Sequence, residues 1–320
     1  MRKYNYGGQA VVEGVMMRGR QSASVAVRLE TGGILVHEED LNPRVYARRI
    51  AQWPFVRGLL LLWDMLILGT RMMRFAAHAS IQSMTEAEEH AQPATIDQGA
   101  VRDATAQDMA GSGGFGMAAT LLFSLAFAIG LFFLLPLGVV GFARHWIGKG
   151  WLALALEGLI RLALLIGYLA LIGRFASIQR VFMYHGAEHK AINCFEAGHP
   201  LDVEHVRAAS RVHTRCGTGF LLIVVVVSIV VFALLGNPPL VIRILSRVLL
   251  VPVIAAISYE LMRLGAANYH RRIARWLMAP SLALQGLTTR EPDDGQIECA
   301  VVALERVLRR DGVPVLDRVA

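Results

Sequence analysis

The segment Tyr184-His185-Gly186-Ala187-Glu188-His189-Lys190 contains H-x-x-E-H, the inverted form of the zincin motif. On a helix, His185 and His189 lie one turn apart on one face, so both can reach a single cation. Glu188 stands beside His189 and three residues from His185. That places its carboxylate as a general base for a water activated by the cation. Downstream, His213-Thr214-Arg215-Cys216-Gly217-Thr218 adds an H-x-x-C pair, a spacing suited to two further ligands. Two arrangements follow. His185, His189, His213 and Cys216 together would close a four-ligand structural site for Zn²⁺ or another divalent metal. His185 and His189 with one of Glu196, His213 or Glu260 would instead leave a position open for water, the catalytic arrangement. Spacing alone does not choose between them, and a polar surface helix would spell the same five letters.

These residues must be held by something, and composition says what. The chain has 320 residues, 55% hydrophobic and 18% charged, against about 45–50% and about 25% in soluble domains. Between Asp108 and Arg144 no Asp, Glu, Lys or Arg occurs, and none occurs between Arg215 and Arg243. A bilayer core takes about 20 apolar residues of helix, so membrane spans are expected near 117–143, 151–172, 217–236 and 244–264. Asn237-Pro238-Pro239 closes the third span, and Pro252 predicts a kink in the fourth. The net charge of +7 is carried by arginine. It gathers before 117, in 173–216 and after 263, on one side of the four spans. The positive-inside rule makes that side cytoplasmic, with both termini there. Topology therefore accounts for the charge, and no nucleic-acid motif is present. Cys194, Cys216 and Cys299 are too few and scattered for a disulfide framework, and on that side they suit free thiols or metal ligands.

The expected fold is an α-helical polytopic membrane protein of about four transmembrane helices, with a small N-terminal β-hairpin or sheet region and a cytoplasmic C-terminal helix. Residues 1–83 would hold the β-rich segment and an interfacial helix near 53–77, whose charges Arg57, Asp64, Arg71 and Arg74 interrupt its apolar runs. Residues 84–116 read as a flexible linker, 117–172 and 217–264 as the span pairs, 173–216 as the motif-bearing segment and 265–320 as the tail. Glu196-Ala197-Gly198 reads as a helix end, which leaves His199 on a surface loop. Apolar residues at Ile297, Ala300, Val301, Leu304, Val307 and Leu308 predict an amphipathic helix that packs on the N-terminal hairpin or a partner chain, with Glu298 and Cys299 on its flank. Glu157 and Arg161, four apart, predict a helix-packing pair. Glu260 is an ionisable group at the edge of a span, either functional or paired with Arg263.

The segment from Gly8 to Gly19 (GQAVVEGVMMRG), the two histidine segments, and Leu284-Gln285-Gly286-Leu287-Thr288-Thr289-Arg290-Glu291-Pro292 together resemble the YqhQ-like family. Its members are bacterial membrane proteins of unknown function, labelled as predicted metal-dependent enzymes. By position the resemblance implies Glu13, Arg18, His185, Glu188, His189, His213, Cys216, Glu260 and Glu291 as site residues. The leading expectation is a metal-dependent hydrolase at the cytoplasmic membrane face. A non-enzymatic regulator or scaffold with a structural metal site is the alternative, and an oligomeric transporter using Glu157 and Glu260 is a weaker one. The expected partners are the bilayer and either a second copy or another membrane protein.

Overall fold

The computed structural model describes residues 6–41, 53–89, 101–104, 114–148, 151–236 and 238–314. Strands β1 (Gly7–Val11), β2 (Gly14–Arg18), β3 (Ser22–Arg28) and β4 (Ile34–Asp40) form an antiparallel meander, and β5 (Val101–Asp103) joins β4 in parallel. The helices are α1 (Val56–Glu89), α2 (Gly114–Ile129), α3 (Leu135–Ile147), α4 (Trp151–Ile172), α5 (Ala176–Ala197), α6 (Val203–Ala208), α7 (Gly217–Leu235), α8 (Leu240–Leu249), α9 (Val251–Ala267), α10 (Arg272–Thr288) and α11 (Asp294–Arg310). A π-helical turn, Gly130–Leu134, joins α2 to α3.

The sheet is more than a hairpin because both of its faces are buried. Strand alternation sends Val15, Met17, Ala26, Ile34 and Val36 to one face. Val11, Met16, Val25, Val27 and Leu35 go to the other, where Leu68, Met72, Phe75 and Ala76 of α1 cover them. The first face is covered by α5 and α11, through Tyr184, Ala187 and Ala191 and through Ile297, Ala300, Leu304 and Leu308. Each large apolar side chain so buried contributes about 1.5–3 kcal/mol. Helix α11 starts at a capping box, in which Asp293 accepts from the Gln296 N–H and Gln296 accepts from the Asp293 N–H. It packs on the sheet as expected, but Cys299 lies in the core and not on a flank. The 84–116 segment is not wholly a linker. Helix α1 runs to Glu89 and Val101–Asp103 is a strand, while 90–100 and 105–113 lie outside the described residues.

Three helical stretches are long and apolar enough to cross a membrane: Leu122–Ala143, Leu152–Ile172 and Gly217–Leu235. Helices α8 and α9 make a fourth only if they count as one span, because they bend by 46°. The stretch expected as a fourth span is thus interrupted between α8 and α9, with Pro252 in the first turn of α9. Helix α8 is amphipathic in an inverted sense. Leu240, Val241, Ile242, Ile244, Leu245, Val248 and Leu249 are exposed, and Arg247 is buried. Arg247 meets the expected Glu157–Arg161 pair, bonding Glu157 through Nε at 3.0 Å and Nη2 at 3.1 Å. Arg161 reaches Glu157 at 3.0 Å, Ser228 Oγ at 3.0 Å and the Phe132 carbonyl in the π-helical turn at 2.7 Å. The Phe232 ring lies against both guanidiniums.

Candidate metal centre

Helix α5 is buried over most of its second half, at Tyr184, from Gly186 to Ile192 and again at Cys194, with His185 half-buried. It fits there because Gly186 lets the chain after α10 cross it closely. A Cβ at Gly186 would overlap the Arg290 carbonyl oxygen, and Arg290 N–H donates to the Phe182 carbonyl at 2.9 Å. Gly186→Ala is expected to cost about 1–3 kcal/mol through overpacking against a backbone that cannot yield. Gly286→Ala, which meets nothing within 4 Å, should be neutral or slightly stabilising. Thermal unfolding of the two variants checks the contrast.

This crossing supplies an anchor for the first histidine. His185 Nδ1 donates to the Thr288 carbonyl at 2.8 Å, and His189 Nδ1 donates to the Arg211 carbonyl at 2.7 Å. Each ring is thus fixed through Nδ1, which leaves Nε2 as the free nitrogen. The rings are 4.4 Å apart between centroids. Cys216, the residue that caps α7, places its sulfur 3.3 Å from His185 Nε2 and 3.1 Å from Thr218 Oγ1. The ligand atoms of His185, His189 and Cys216 all lie within 4.8 Å of one another.

The electrostatics agree with this grouping. Burial opposes ionisation of Cys216, but hydrogen bonds from His185 and His189 outweigh it and hold the thiol well below its ordinary value. Burial alone would lower the His185 value, and the bond with Cys216 reverses this and raises it to about 9. A thiolate beside an imidazolium is an ion pair, the state of an activated thiol, and a bound metal would take the place of the Nε2 proton. Glu188 is buried behind the pair. Burial raises its carboxyl, the nearby His185 and His189 pull it down in part, and the Gly8 N–H donates to it from β1. Glu188 Oε2 makes no hydrogen bond among the described residues.

The remaining candidates do not join the three. His213 is buried with its ring 5.7 Å from that of His189. Its Nε2 faces Glu196 Oε2 at 3.7 Å, beyond hydrogen-bond reach, and Glu196 also pairs with Arg215. Glu260 pairs with Arg57 and accepts from the Phe55 N–H at 3.1 Å, so its partner is neither Arg263 nor the cluster. Glu13 bonds Arg180 at 2.5 Å and accepts from the Tyr184 hydroxyl at 3.3 Å. Arg18 pairs with Asp64 at 3.3 Å, and Glu291 with Lys190 at 2.6 Å. His199 is exposed, as expected of a loop beyond Gly198, whose φ of 78° ends α5. The cavity of about 330 Å³ lined by Ile34, Val101, Leu201 and Val301 lies at the sheet edge, away from these groups.

Motif spacing does not single out Gln285. Its side chain accepts from the His213 N–H at 2.9 Å and donates to the His213 carbonyl at 2.8 Å. That clamp fixes the backbone leading into Cys216. The signal was its place in the segment shared with the YqhQ-like family.

Residues 53–310 match the family described as a protein of unknown function (DUF1385). The chain belongs to the DUF1385 family. It is also similar to the uncharacterised protein YqhQ of Bacillus subtilis (strain 168), at 34% identity over 314 residues, covering 96% of this chain and 93% of that protein. No solved structure is significantly similar to it. Membership of DUF1385 confirms the resemblance seen in the motifs and carries no activity with it. The match begins at 53, so strands β1–β4 lie before it, although β1 reaches Glu188.

Proposed function

We propose that this DUF1385 protein is an integral membrane protein with a metal-dependent, hydrolase-like site at its cytoplasmic face. The observation that carries the metal reading is the fixing of both histidines through Nδ1 on carbonyl oxygens, with His185 Nε2 3.3 Å from the Cys216 sulfur and the ligand atoms of all three residues within 4.8 Å of one another. A nitrogen–nitrogen–sulfur donor set suits Zn²⁺, and three protein ligands are the number found in catalytic sites. The buried Glu188 Oε2, without a hydrogen bond among the described residues, fits a site completed by a further group. His185, His189 and Cys216 would hold the ion, which supplies Lewis acidity when bound. Glu188 would hold and move a proton, with its other carboxylate contact fixed by the Gly8 N–H. The membrane reading is supported by α8, which turns its apolar side outward and Arg247 inward, an arrangement that water would disfavour and lipid would favour. The excess of basic residues on the side of the sheet orients that side to the cytoplasm.

A structural site in a membrane scaffold is the second reading, favoured by the deep burial of His189 and Cys216. Metal analysis of the purified chain separates the possibilities. The wild type should carry one divalent ion per chain and His189→Ala almost none, whereas a metal-free wild type overturns both readings. Glu188→Gln should then keep the ion and lose the cellular effect of the protein. If it keeps both, the scaffold reading stands.

A further inference from the structure

From Leu261 to Arg290 the chain carries five arginines and no Asp or Glu. Four of them, Arg263, Arg271, Arg272 and Arg275, are exposed around the corner where α9 ends and turns into α10. Helix α10 presents different chemistry around its circumference. Met278, Ser281, Leu284 and Gln285 are buried against the protein. Ile273, Trp276 and Leu277 are 74%, 78% and 65% exposed. They stand next to Arg272 and Arg275 in the same turns. A basic stripe beside an apolar one, both facing away from the protein, is what a helix lying in a membrane interface presents. Apolar side chains enter the acyl boundary while guanidiniums reach the phosphates.

The neighbouring elements extend that surface. Helix α1 packs on α9, where Gly58 lies against the Tyr259 ring and Arg57 holds Glu260. Its outward stripe of Leu59, Trp63, Leu66 and Ile67 is also exposed. Each of the two helices that pack against α9 therefore carries an exposed apolar stripe. A second copy related by a two-fold axis would set arginine against arginine at the α9–α10 corner, which like-charge repulsion opposes. Phosphodiester groups complement it, and arginine binds them through paired N–H donors.

We propose that the α9–α10 corner is a binding site for anionic phospholipid headgroups in the leaflet facing the sheet. The proposal rests on the membrane reading above and adds headgroup selectivity to it. Arg271, Arg272 and Arg275 recognise the headgroup charge, and Trp276 marks the depth of the helix.

The test uses the full chain in detergent with Trp53, Trp63, Trp146 and Trp151 replaced by phenylalanine, so that Trp276 alone fluoresces. Brominated phosphatidylglycerol and brominated phosphatidylcholine are titrated as quenchers. With about fivefold in affinity from each arginine near an anionic surface, half-quenching by phosphatidylglycerol is expected at a mole fraction at least about tenfold lower. Replacing Arg271, Arg272 and Arg275 by glutamine should bring the two lipids together, while replacing them by lysine should keep most of the preference. A chain that retains only Trp146, on α3, should be quenched equally by both lipids. Equal quenching of Trp276 by both overturns headgroup selectivity and leaves the membrane reading standing. Absence of quenching at both Trp276 and Trp146 overturns the membrane reading itself. Quenching at Trp146 alone, with Leu277→Cys crosslinking between copies, assigns the corner to a protein interface and overturns the proposal.

Discussion

Glu157→Ala is expected to cost about 3–5 kcal/mol, the loss that follows when one partner of a buried ion cluster is removed. Glu157 is 3% exposed, and Arg161 and Arg247 are each 1% exposed. One carboxylate serves both guanidiniums, accepting from Arg161 at 3.0 Å and from Arg247 at 3.0 and 3.1 Å. Without it, two cations face each other among apolar helices. Among the described residues their remaining partners are Ser228 Oγ, the Phe132 carbonyl and the Phe133 and Phe232 rings, which satisfy donors without neutralising charge. The loss should appear as a lower thermal midpoint in detergent and as poor recovery of folded protein.

Arg247→Met should do much less, because it leaves Glu157 and Arg161 as a neutral pair and fills the space with a flexible apolar chain. The comparison matters for α8, whose apolar side faces outward. If the cluster pins α8 against α4 and α7, Arg247→Met should keep the midpoint and make α8 easier to cleave or to label with a membrane-soluble reagent. Equal losses for Glu157→Ala and Arg247→Met would mean that packing, and not charge, holds this region together.

The parts of this fold legible in the sequence are the ones set by local period. Helices α4 and α7, long and apolar enough to cross a membrane, follow from apolar runs, and the pairing of Glu157 with Arg161 follows from i,i+4 spacing. His185 and His189 share a helix face for the same reason, and Gly198 marks the end of α5 because a left-handed cap favours glycine. The rest depends on long-range contacts. Glu260 has Arg263 one turn away, but the fold brings it Arg57, 203 positions distant, and a bidentate guanidinium wins. On β2, Val15, Met16 and Met17 are apolar at both parities, but on β3 Val25 and Val27 alternate with serine and alanine, a pattern that shows one buried face and not two. The sequence pairs His213 with Cys216 as H-x-x-C. In the fold, Gln285 clamps the His213 backbone and its ring turns to Glu196, so only Cys216 reaches the histidines of α5.

That difference between His213 and Cys216 has a measurable consequence. Cys216→Ser is nearly isosteric and should leave the fold intact, but an alcohol does not ionise beside imidazole as a thiol does. Metal affinity should fall by more than about 100-fold, exceeding the 10–100-fold typical of losing a supporting residue around a metal. His213→Ala should lower it by less than about tenfold, since its Nε2 lies toward Glu196 and outside the three-ligand group. Competition with a chromophoric chelator measures both. Proton competition adds a second signature. Wild-type affinity should weaken as pH falls, because binding requires a deprotonated thiol and two neutral imidazoles. The slope of that weakening should be shallower in Cys216→Ser, which has one fewer proton to release. Equal losses for the two variants would instead make His213 a fourth ligand and the centre a closed, structural one. A steep loss for Cys216→Ser alone would leave His185, His189 and Cys216 as the holding residues, three being the number that a catalytic site uses, with Glu188 as the candidate general base.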